Sequence, residues 1–366
     1  MDVVVSSALV AFILIGVKFL YTLRKNVSSV SASTPWIFSN RIPLVTPTFD
    51  WEKTEPIKYR PFVGSGVHTL TMKIKSLSKT PQDWFLIENT YLERTDEKKK
   101  IADDFYRKVI HIDENGDSIP ALIEFYGFCM RFLKERYPMY FKVVNYGKRR
   151  YLHNLIRKEH LTLDPYSVKP YELCQILALN LEEDFLILLK DNPNNSDEEY
   201  KLKSSSWCFP SGFDPANKFD RELSHIHTPV PEYDVKLKQL MNRFFNRLSP
   251  KEMWMRTNWS IQVDPPLMNI ASNHGRENEK TVPLQINEIN FDKSFVRTER
   301  QVLTSLPKLK AKVMTIRTYT TPLLKIKSEG LGSDLSRAID SLDPVFAHYK
   351  NRAKWGNAVK QYMNSP

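Results

Sequence analysis

The stretch from residue 201 to residue 322 constrains this chain most, because it sets side chains that bind metals or anions among residues that fix the backbone. Its segments are SSSWCFPSGFDP, ELSHIHTPVPEYD, RTERQ and VMTIRTYTTPL. Proline limits the backbone to one φ region, and β-branched residues favour strands. Histidine, arginine and glutamate side chains in such a frame are held at defined positions, so the stretch indicates a site as well as a core.

Length and composition describe an ordinary folded protein. The chain has 366 residues, enough for one large domain or two medium ones, and 12% of them are aromatic. The formal net charge of +11 is spread in short basic groups with acidic clusters between them, so a nucleic-acid partner is not expected. Three cysteines without a CxxC spacing favour a reducing compartment and argue against a structural zinc site.

The N-terminus predicts a membrane anchor. The stretch from Val3 to Leu23 is mainly apolar and carries one charge, Lys18. It is long enough to span a bilayer as a helix. A cleaved signal peptide would carry its basic residues before the apolar run, whereas here they follow it. The positive-inside rule then places the rest of the chain in the cytosol. We expect a single-pass protein of the endoplasmic reticulum or another internal membrane, with an anchor at 1–25 and a Ser/Thr/Pro-rich linker at 26–50.

Helices and strands are predicted without the regular alternation of a parallel fold, so the fold class is α+β. Helices are predicted at 120–136, 170–189, 234–248, 333–342 and 343–362, with Asp234 and Asp343 as caps. The end of the second helix, LNLEEDFLILL, is equally compatible with a buried strand. Strands are predicted at 69–74, 204–209, 259–263 and 311–319. We expect two halves, 51–200 and 201–333, followed by C-terminal helices at 334–366.

Several frequent chemistries lack their sequence patterns. The chain has no GxGxxG, GxxxxGK[ST], HExxH or GxSxG, which argues against nucleotide-binding proteins, zincins and α/β-hydrolases. Residues 113–117, DENGD, resemble part of a calcium loop, but the glycine is out of place and no glutamate follows at the required distance. That segment is predicted to be a turn.

His225 and His227 are the first candidate ligands. Their segment ends in Pro229 and Pro231, so it is predicted to be extended, with both imidazoles on one side and Ile226 on the other. An imidazole held in this way suits a metal, but a surface or core histidine with a backbone partner fits the same pattern. Both interpretations stay open at this point.

Arg317 is the second candidate. Strand alternation over 309–319 puts it on the same side as apolar residues, with lysines on the other side, so its guanidinium group is predicted to point inward. A buried guanidinium group needs an anion. Either a carboxylate such as Glu299 or the acidic groups of a ligand would provide one.

In order and spacing, the segments WCFPSGF, IHTPVP, RTERQ, LPKL and TIRTY resemble the haem-dependent oxidative N-demethylase family, whose catalytic subunit is built from PAS-like domains. The resemblance reaches upstream to YRPFVGSGVHTLTMKIKSL, DWFLIENTYLER, LKERYPMYF and LEEDFLILL, and so covers about residues 56–325. With its N-terminal anchor the chain is similar to fungal members that are sometimes called the HRQ family. The family implies PAS-like antiparallel sheets with flanking helices, and a haem b whose iron is held by a protein histidine.

The resemblance implies an axial ligand. His227 of IHTPVP takes this role, with His225 in reserve. Cys208 is a candidate thiolate ligand, but it lies in a segment where the family is not expected to require cysteine, so it ranks below His227.

The resemblance also implies the residues around the haem. Arg300 and Arg317 meet the propionates, and Gln301 supports the cofactor. Tyr319 and Glu299 line the pocket and are the catalytic candidates.

The implied activity is oxygen-dependent removal of a methyl group from a small amine as formaldehyde, or a related C–H oxidation. The chain has no flavin fingerprint and no four-cysteine iron–sulfur pattern, so a separate reductase of the flavin or iron–sulfur type is expected to supply electrons. The chain is thus predicted to be a membrane-tethered, haem-dependent monooxygenase with a small-molecule substrate. A non-catalytic haem or small-ligand sensor is the first alternative, and a lumenal glycosyltransferase is the second.

Overall fold

The computed structural model describes residues 36–64, 72–275 and 281–365. Within them the chain is α+β, and the strands of both its sheets pair antiparallel, which confirms that part of the prediction. The main sheet has the order β1-β8-β9-β10-β6-β7-β2, and the small sheet has the order β3-β4-β5. The strands are β1 Lys75–Ser76, β2 Ile110–Ile112, β3 Phe141–Tyr146, β4 Arg149–Asn154, β5 Glu159–Thr162, β6 Asp184–Leu189, β7 Lys201–Ser206, β8 Met253–Gln262, β9 Phe295–Ser305 and β10 Lys312–Pro322.

Helices lie on both sides of the main sheet. They are α1 Tyr91–Val109, α2 Ser118–Arg136, α3 Pro170–Asn180, α4 Leu223–Ile226, α5 Lys238–Arg247, α6 Leu323–Ser328, α7 Gly332–Asp340, α8 Pro344–Tyr349 and α9 Arg352–Asn364. A π-helical turn, Tyr233–Leu237, leads directly into α5, so the helix predicted at 234–248 has two parts and Asp234 lies inside the first instead of capping it.

The strands β8, β9 and β10 form the part of the main sheet that positions the candidate site. Residues directly opposite one another in antiparallel strands point to the same side. One side, named the His227 face after the residue that lies over it, carries the rows Arg256, Gln301, Ile316 and Asn258, Glu299, Thr318. The other side, named the Arg317 face, carries the rows Thr257, Arg300, Arg317 and Trp259, Thr298, Tyr319.

The largest hydrophobic core lies between the Arg317 face and α2. The helix predicted at 120–136 is confirmed, because α2 ends just before Tyr137-Pro138 and buries side chains at helical spacing such as Leu122, Phe125 and Cys129. Trp84 lies between this helix and the sheet and donates from Nε1 to Oγ1 of Thr315 at 2.8 Å. This core fixes one side of β10.

The segment 207–248 covers the His227 face. Leu223, Tyr233 and Phe245 from this segment form one buried cluster with Leu303 and Ile316 of the sheet. Both faces of β10 are therefore covered, whereas the sequence predicted a lysine-bearing outer side. Lys312 from that predicted outer side is also buried.

The ambiguous segment at 170–189 is a helix followed by a strand. The helix α3 ends at Asn180, and all six residues of β6 are buried because this strand pairs with β10 on one side and β7 on the other. A strand covered on both faces has no alternation of polar and apolar residues, which is why periodicity left its type open.

The C-terminal helices follow the prediction with one interruption. The side chain of Asp343 accepts from the backbone N–H groups of Val345 and Phe346, which confirms it as a cap. The helix predicted over 343–362 is divided into α8 and α9 at Asn351, which has a left-handed φ of 53°. The break aims the Lys350 side chain into the protein, where it donates to the carbonyl oxygen of Trp259.

The membrane-anchored fold and the internal-membrane location that the N-terminus suggested are corrected. Across the three described ranges, no helix is both long and apolar enough to cross a bilayer. The apolar stretch 3–23, which carried that expectation, lies outside these ranges. The α+β fold of the described residues therefore contains no membrane-spanning helix.

Two other boundaries bear on the site. Residues from the segment expected as a linker, including Phe38 and Ile42, pack into the core, because burial removes their apolar side chains from water. The main sheet takes β1, β2 and β6 from the predicted first half and β7 to β10 from the second. The strand expected at 69–74 falls partly outside the described residues, and β1 begins just after it.

Candidate functional site

His227 lies at the end of the short helix α4, and not on the extended segment that its prolines suggested. The backbone N–H groups of Ile226 and His227 close the helical turn, and the first proline, Pro229, comes too late to prevent this. His225 is exposed on the turn, whereas His227 is mostly enclosed. The predicted sharing of one side by the two imidazoles is therefore wrong.

Two contacts fix the His227 ring. Its Nδ1 lies 2.7 Å from the carbonyl oxygen of Leu223, and because a carbonyl oxygen only accepts, Nδ1 carries the ring proton. The ring stacks on Tyr233 with 4.8 Å between centroids and 7° between planes. Burial lowers the pKa of His227 to about 4, and the positive charges of Arg256 and Lys218 add to this effect. The ring is therefore neutral at physiological pH.

Nε2 of His227 is the atom left available to a ligand, since the hydrogen bond found for this ring within the described ranges is made by Nδ1. Histidines that bind metals through one nitrogen commonly donate the other N–H to a backbone carbonyl group. The described part of the chain holds no group of three or more His, Cys, Asp or Glu side chains that could bind a bare ion. One histidine suits a metal that brings its own ligands, as haem iron does.

Three basic side chains in this region lack a carboxylate partner at ion-pair distance among the described residues. The charges of Lys218 and Arg256 act on His227, and the charge of Lys350 acts on His274. Lys218 donates to the Ile226 carbonyl oxygen at 2.8 Å, and Nε of Arg256 is buried with no hydrogen-bond partner in the described chain. Burial lowers the pKa of all three, that of Lys350 to about 8. Lys218 and Arg256 are partly buried and Lys350 is buried. Cations withdrawn from water without a full counter-charge cost free energy, so this region suits an anionic ligand.

His274 closes the same region from the loop after β8. Its ring stacks on Tyr349 with 4.3 Å between centroids, and burial, with the charge of Lys350 next, lowers its pKa to about 4. Gly212 allows this approach, because a Cβ at that position would lie 2.8 Å from the imidazole, and its φ of +82° favours glycine. The cover over the His227 face is thus tightly packed at this point.

Glu299 contributes a carboxylate to the His227 face. It accepts from Nε of Arg297 at 3.2 Å and from Nε2 of Gln301 at 3.3 Å. Burial lowers the pKa of Arg256 and Lys350, and the negative charge of Glu299 offsets part of this lowering. It balances only part of the positive charge around His227.

Buried ionic groups hold the segment WCFPSGF in place. Asp184 accepts from the backbone N–H groups of Cys208 at 3.0 Å and Phe209 at 2.8 Å, and it pairs with Lys98 at 3.1 Å. Arg297 donates to the Phe209 carbonyl oxygen. Burial raises the pKa of the Cys208 thiol to about 12, which disfavours a thiolate ligand at this position.

Arg317 points inward as predicted, but it lies on the face of the sheet that is turned away from His227. Its anionic partners are three glutamates. It donates to Glu88 at 2.6 Å, Glu182 at 2.7 Å and Glu183 at 3.3 Å, so Glu299 is not its partner. Burial raises the pKa of Glu182 to about 7. These four residues form the Arg317 cluster, which compensates the charge of its arginine without a ligand.

Arg300 and Tyr319 also lie on the Arg317 face. Arg300 donates to the carbonyl oxygen of Trp84 at 3.0 Å. The Tyr319 ring centroid lies 5.4 Å from the guanidinium carbon of Arg317, and its buried hydroxyl group has no hydrogen-bond partner in the described chain. The sheet separates these three side chains from His227, so the implied propionate contacts of Arg300 and Arg317 do not share a site with the implied axial ligand.

Of the sequence candidates, the structure places Glu299 and Gln301 on the sheet face that the segment with His227 covers. It adds four residues that the sequence did not indicate: Lys218, Arg256, His274 and Lys350. Strand alternation could have found Arg256, since it lies directly opposite Gln301. The others come from loops and a helix break, whose positions in space leave no periodic pattern.

Comparison of the sequence with known protein families gives one match. The family model described as "Haem-dependent oxidative N-demethylase, alpha subunit-like" matches residues 74–360, a range that contains every residue of the site. No curated protein is similar enough to add a second comparison. The match does not distinguish the fungal HRQ group within the family. The chain belongs to the family of haem-dependent oxidative N-demethylase, alpha subunit-like proteins.

Proposed function

We propose that this chain is a haem-dependent monooxygenase in which residues of the His227 face would hold a haem b and Nε2 of His227 would bind its iron. The observation that carries the proposal is the 2.7 Å hydrogen bond from Nδ1 to the Leu223 carbonyl oxygen, which leaves the Nε2 lone pair available. Family membership supports haem as the cofactor. His225 is not proposed as the ligand, because it is exposed.

Lys218, Arg256 and Lys350 are proposed to meet the two haem propionates. Their buried, unpaired charges support this role, since two carboxylates would compensate most of them. They take the place of Arg300 and Arg317, whose contacts lie on the other face of the sheet.

When bound, haem supplies reductive activation of oxygen for insertion into a C–H bond. In the balanced reaction, one N-methylated amine, one dioxygen molecule, two electrons and two protons give the demethylated amine, one formaldehyde and one water. A small N-methylated amine is the proposed substrate class, and oxidation of a related C–H bond would use the same site. Because the reaction consumes two electrons and the sequence lacks a flavin fingerprint or four-cysteine pattern, we propose a separate reductase.

Glu299 is the proposed polar contact for the substrate. Arg297 and Gln301 hold its carboxylate on the same face as Arg256, where an oxygen atom can accept a proton or pair with an ammonium group. The packed cover formed by segment 207–248 with His274 and Tyr349 would keep water from the site. Glu299 would thus bind and orient the substrate, and the cover would shield the site from water.

The test is turnover by the full chain loaded with haem b. An NADPH-dependent reductase and a ferredoxin supply electrons to the chain with a panel of N-methylated amines, and formaldehyde and NADPH oxidation are measured against haem-free chain. The proposal predicts one formaldehyde per NADPH with at least one amine. A stable haem complex that forms no product with any amine would favour the non-catalytic sensor, and absence of a Soret band would overturn haem binding itself.

A further inference from the structure

A groove of about 420 Å³ lies on the outer side of α5, next to Trp254 of β8. Its lining consists of Leu240, Arg243, Phe244, Arg247, Leu248, Glu252 and Trp254. Leu240 is 49% exposed, and the rings of Phe244 and Trp254 meet edge to face with 6.2 Å between centroids. The groove therefore presents apolar and aromatic side chains at the surface.

The fold uses the inner side of this groove, where Leu248 is buried and Phe244 and Trp254 pack against the core cluster, but not its exposed side. The helix α5 already packs on the sheet through one buried stripe, which includes Met241 and Phe245. The side chains of the groove form a second stripe at spacings of three and four residues: Leu240, Arg243, Phe244 and Arg247. A surface stripe that combines apolar and aromatic side chains with arginines is typical of an interaction site.

The charges around the groove indicate what kind of partner fits it. Arg243 and Arg247 are exposed, and neither has a carboxylate at ion-pair distance among the described residues. Glu252 also lines the groove, but its carboxylate accepts from the backbone N–H of Ser249 at 3.2 Å. A second copy of this chain, with its net charge of +11, would be repelled. An acidic partner would be attracted to the same surface.

The groove also lies close to the site. Trp254 and Arg256 are two residues apart on β8 and point to the same side, which separates their Cα atoms by about 7 Å. The charge of Arg256 acts on His227. A protein docked at Trp254 would therefore be near the His227 face.

We infer that this groove docks an acidic one-electron carrier protein of the iron–sulfur or flavin class. The inference rests on the proposed function, which consumes two electrons per reaction, and each of two reduced carriers would give up one of them. The two arginines attract and orient the carrier, and the apolar floor provides the close contact. This assigns a role to the exposed side of the groove, which the haem site does not use.

The test measures docking directly, so that it does not depend on turnover. The probe is an acidic plant-type [2Fe–2S] ferredoxin, and its affinity for the full chain is measured by biolayer interferometry at low and moderate salt. Arg243→Glu/Arg247→Glu reverses the charge of the groove. Arg149→Glu/Arg150→Glu is the matched control, because both arginines are exposed on β4 of the other sheet and the change in net charge is the same. Leu240→Asp tests the apolar contact.

We expect micromolar binding that weakens as salt rises, a loss of at least tenfold in the groove double variant and in Leu240→Asp, and less than threefold in the control. Thermal unfolding of each variant checks that it is folded. Equal losses in both double variants, or no binding by the wild-type chain, would overturn the docking inference. Retained docking by a chain that shows no Soret band would overturn the proposed function and leave the docking surface standing.

Discussion

At the residue scale, one hydrogen bond decides which nitrogen of His227 can bind a ligand. The Leu223 carbonyl oxygen accepts a hydrogen bond from the Nδ1–H group, and burial keeps the ring neutral. Nε2 therefore carries an unprotonated lone pair at physiological pH. His225, two residues earlier, has neither the enclosure nor this contact. Two chemically identical side chains thus differ in their suitability as a ligand, because only the His227 ring is held in place.

Glu182 of the Arg317 cluster gives a prediction about pH. Its pKa is about 7 in the folded chain against an ordinary value of 4.5, chiefly because of burial. The folded state therefore binds this proton more tightly, and the stability it contributes is complete below about pH 4.5 and lost as pH rises through 7. The free energy of unfolding of wild type minus that of Glu182→Gln should be measured at pH 5 and at pH 8. This difference should fall by on the order of 3 kcal/mol from the lower pH to the higher.

In this comparison Glu182→Gln gains relative stability at the higher pH. Guanidinium unfolding at the two pH values measures it, with Glu97→Gln, a carboxylate paired near the surface with Arg94, as control. A wild-type-to-variant difference that stays the same at both pH values would contradict the assignment.

At the element scale, local signals were sufficient for helices with one buried stripe and a cap. The helix α2 and the Asp343 cap follow from spacing and from residue type at the helix start. The turn at His227 could not be obtained in this way, since a four-residue helix ending before a proline looks extended in sequence. Strand alternation placed Arg317 inward, but its partners Glu88 and Glu182 are distant in sequence and leave no local mark.

Asp343 tests the cap. Its side chain satisfies two backbone N–H groups at the start of α8, and replacing such a cap by alanine typically costs about 1 kcal/mol. Asp343→Ala should therefore lower the free energy of unfolding by about 1 kcal/mol in urea denaturation. Asp340→Ala, which removes a surface ion pair with Lys360, is the control and should change it by less than about 0.5 kcal/mol. Equal effects would mean that α8 does not depend on its cap.

At the scale of the whole molecule, one sheet keeps two groups of buried charges apart. On one face Arg317 is compensated by glutamates and serves the core. On the other face Lys218 and Arg256 near His227, and Lys350 near His274, have no carboxylate at ion-pair distance among the described residues, and Glu299 balances only part of their charge. Excess positive charge next to a neutral imidazole is the feature that a purely structural core would not retain.

This contrast predicts a trade-off between stability and binding. Arg256→Met removes an unpaired buried charge, so it should raise the free energy of unfolding of the haem-free chain by about 1–2 kcal/mol. The same change should weaken haem binding at least tenfold, because a propionate contact is lost. Differential scanning calorimetry and haem titration measure the two effects, with the exposed Arg149→Met as control. A variant that is destabilised and binds haem as wild type does would contradict the role of Arg256.

The measurement that tests the central claim most directly is haem titration of the full chain and two variants, followed by the Soret band. Wild type and His225→Ala should bind one haem with the same spectrum. His227→Ala should lose the band or bind at least tenfold more weakly, and added imidazole should restore the wild-type spectrum by filling the vacated ligand position. An unchanged spectrum and affinity in His227→Ala would contradict the claim that Nε2 of His227 holds the haem iron.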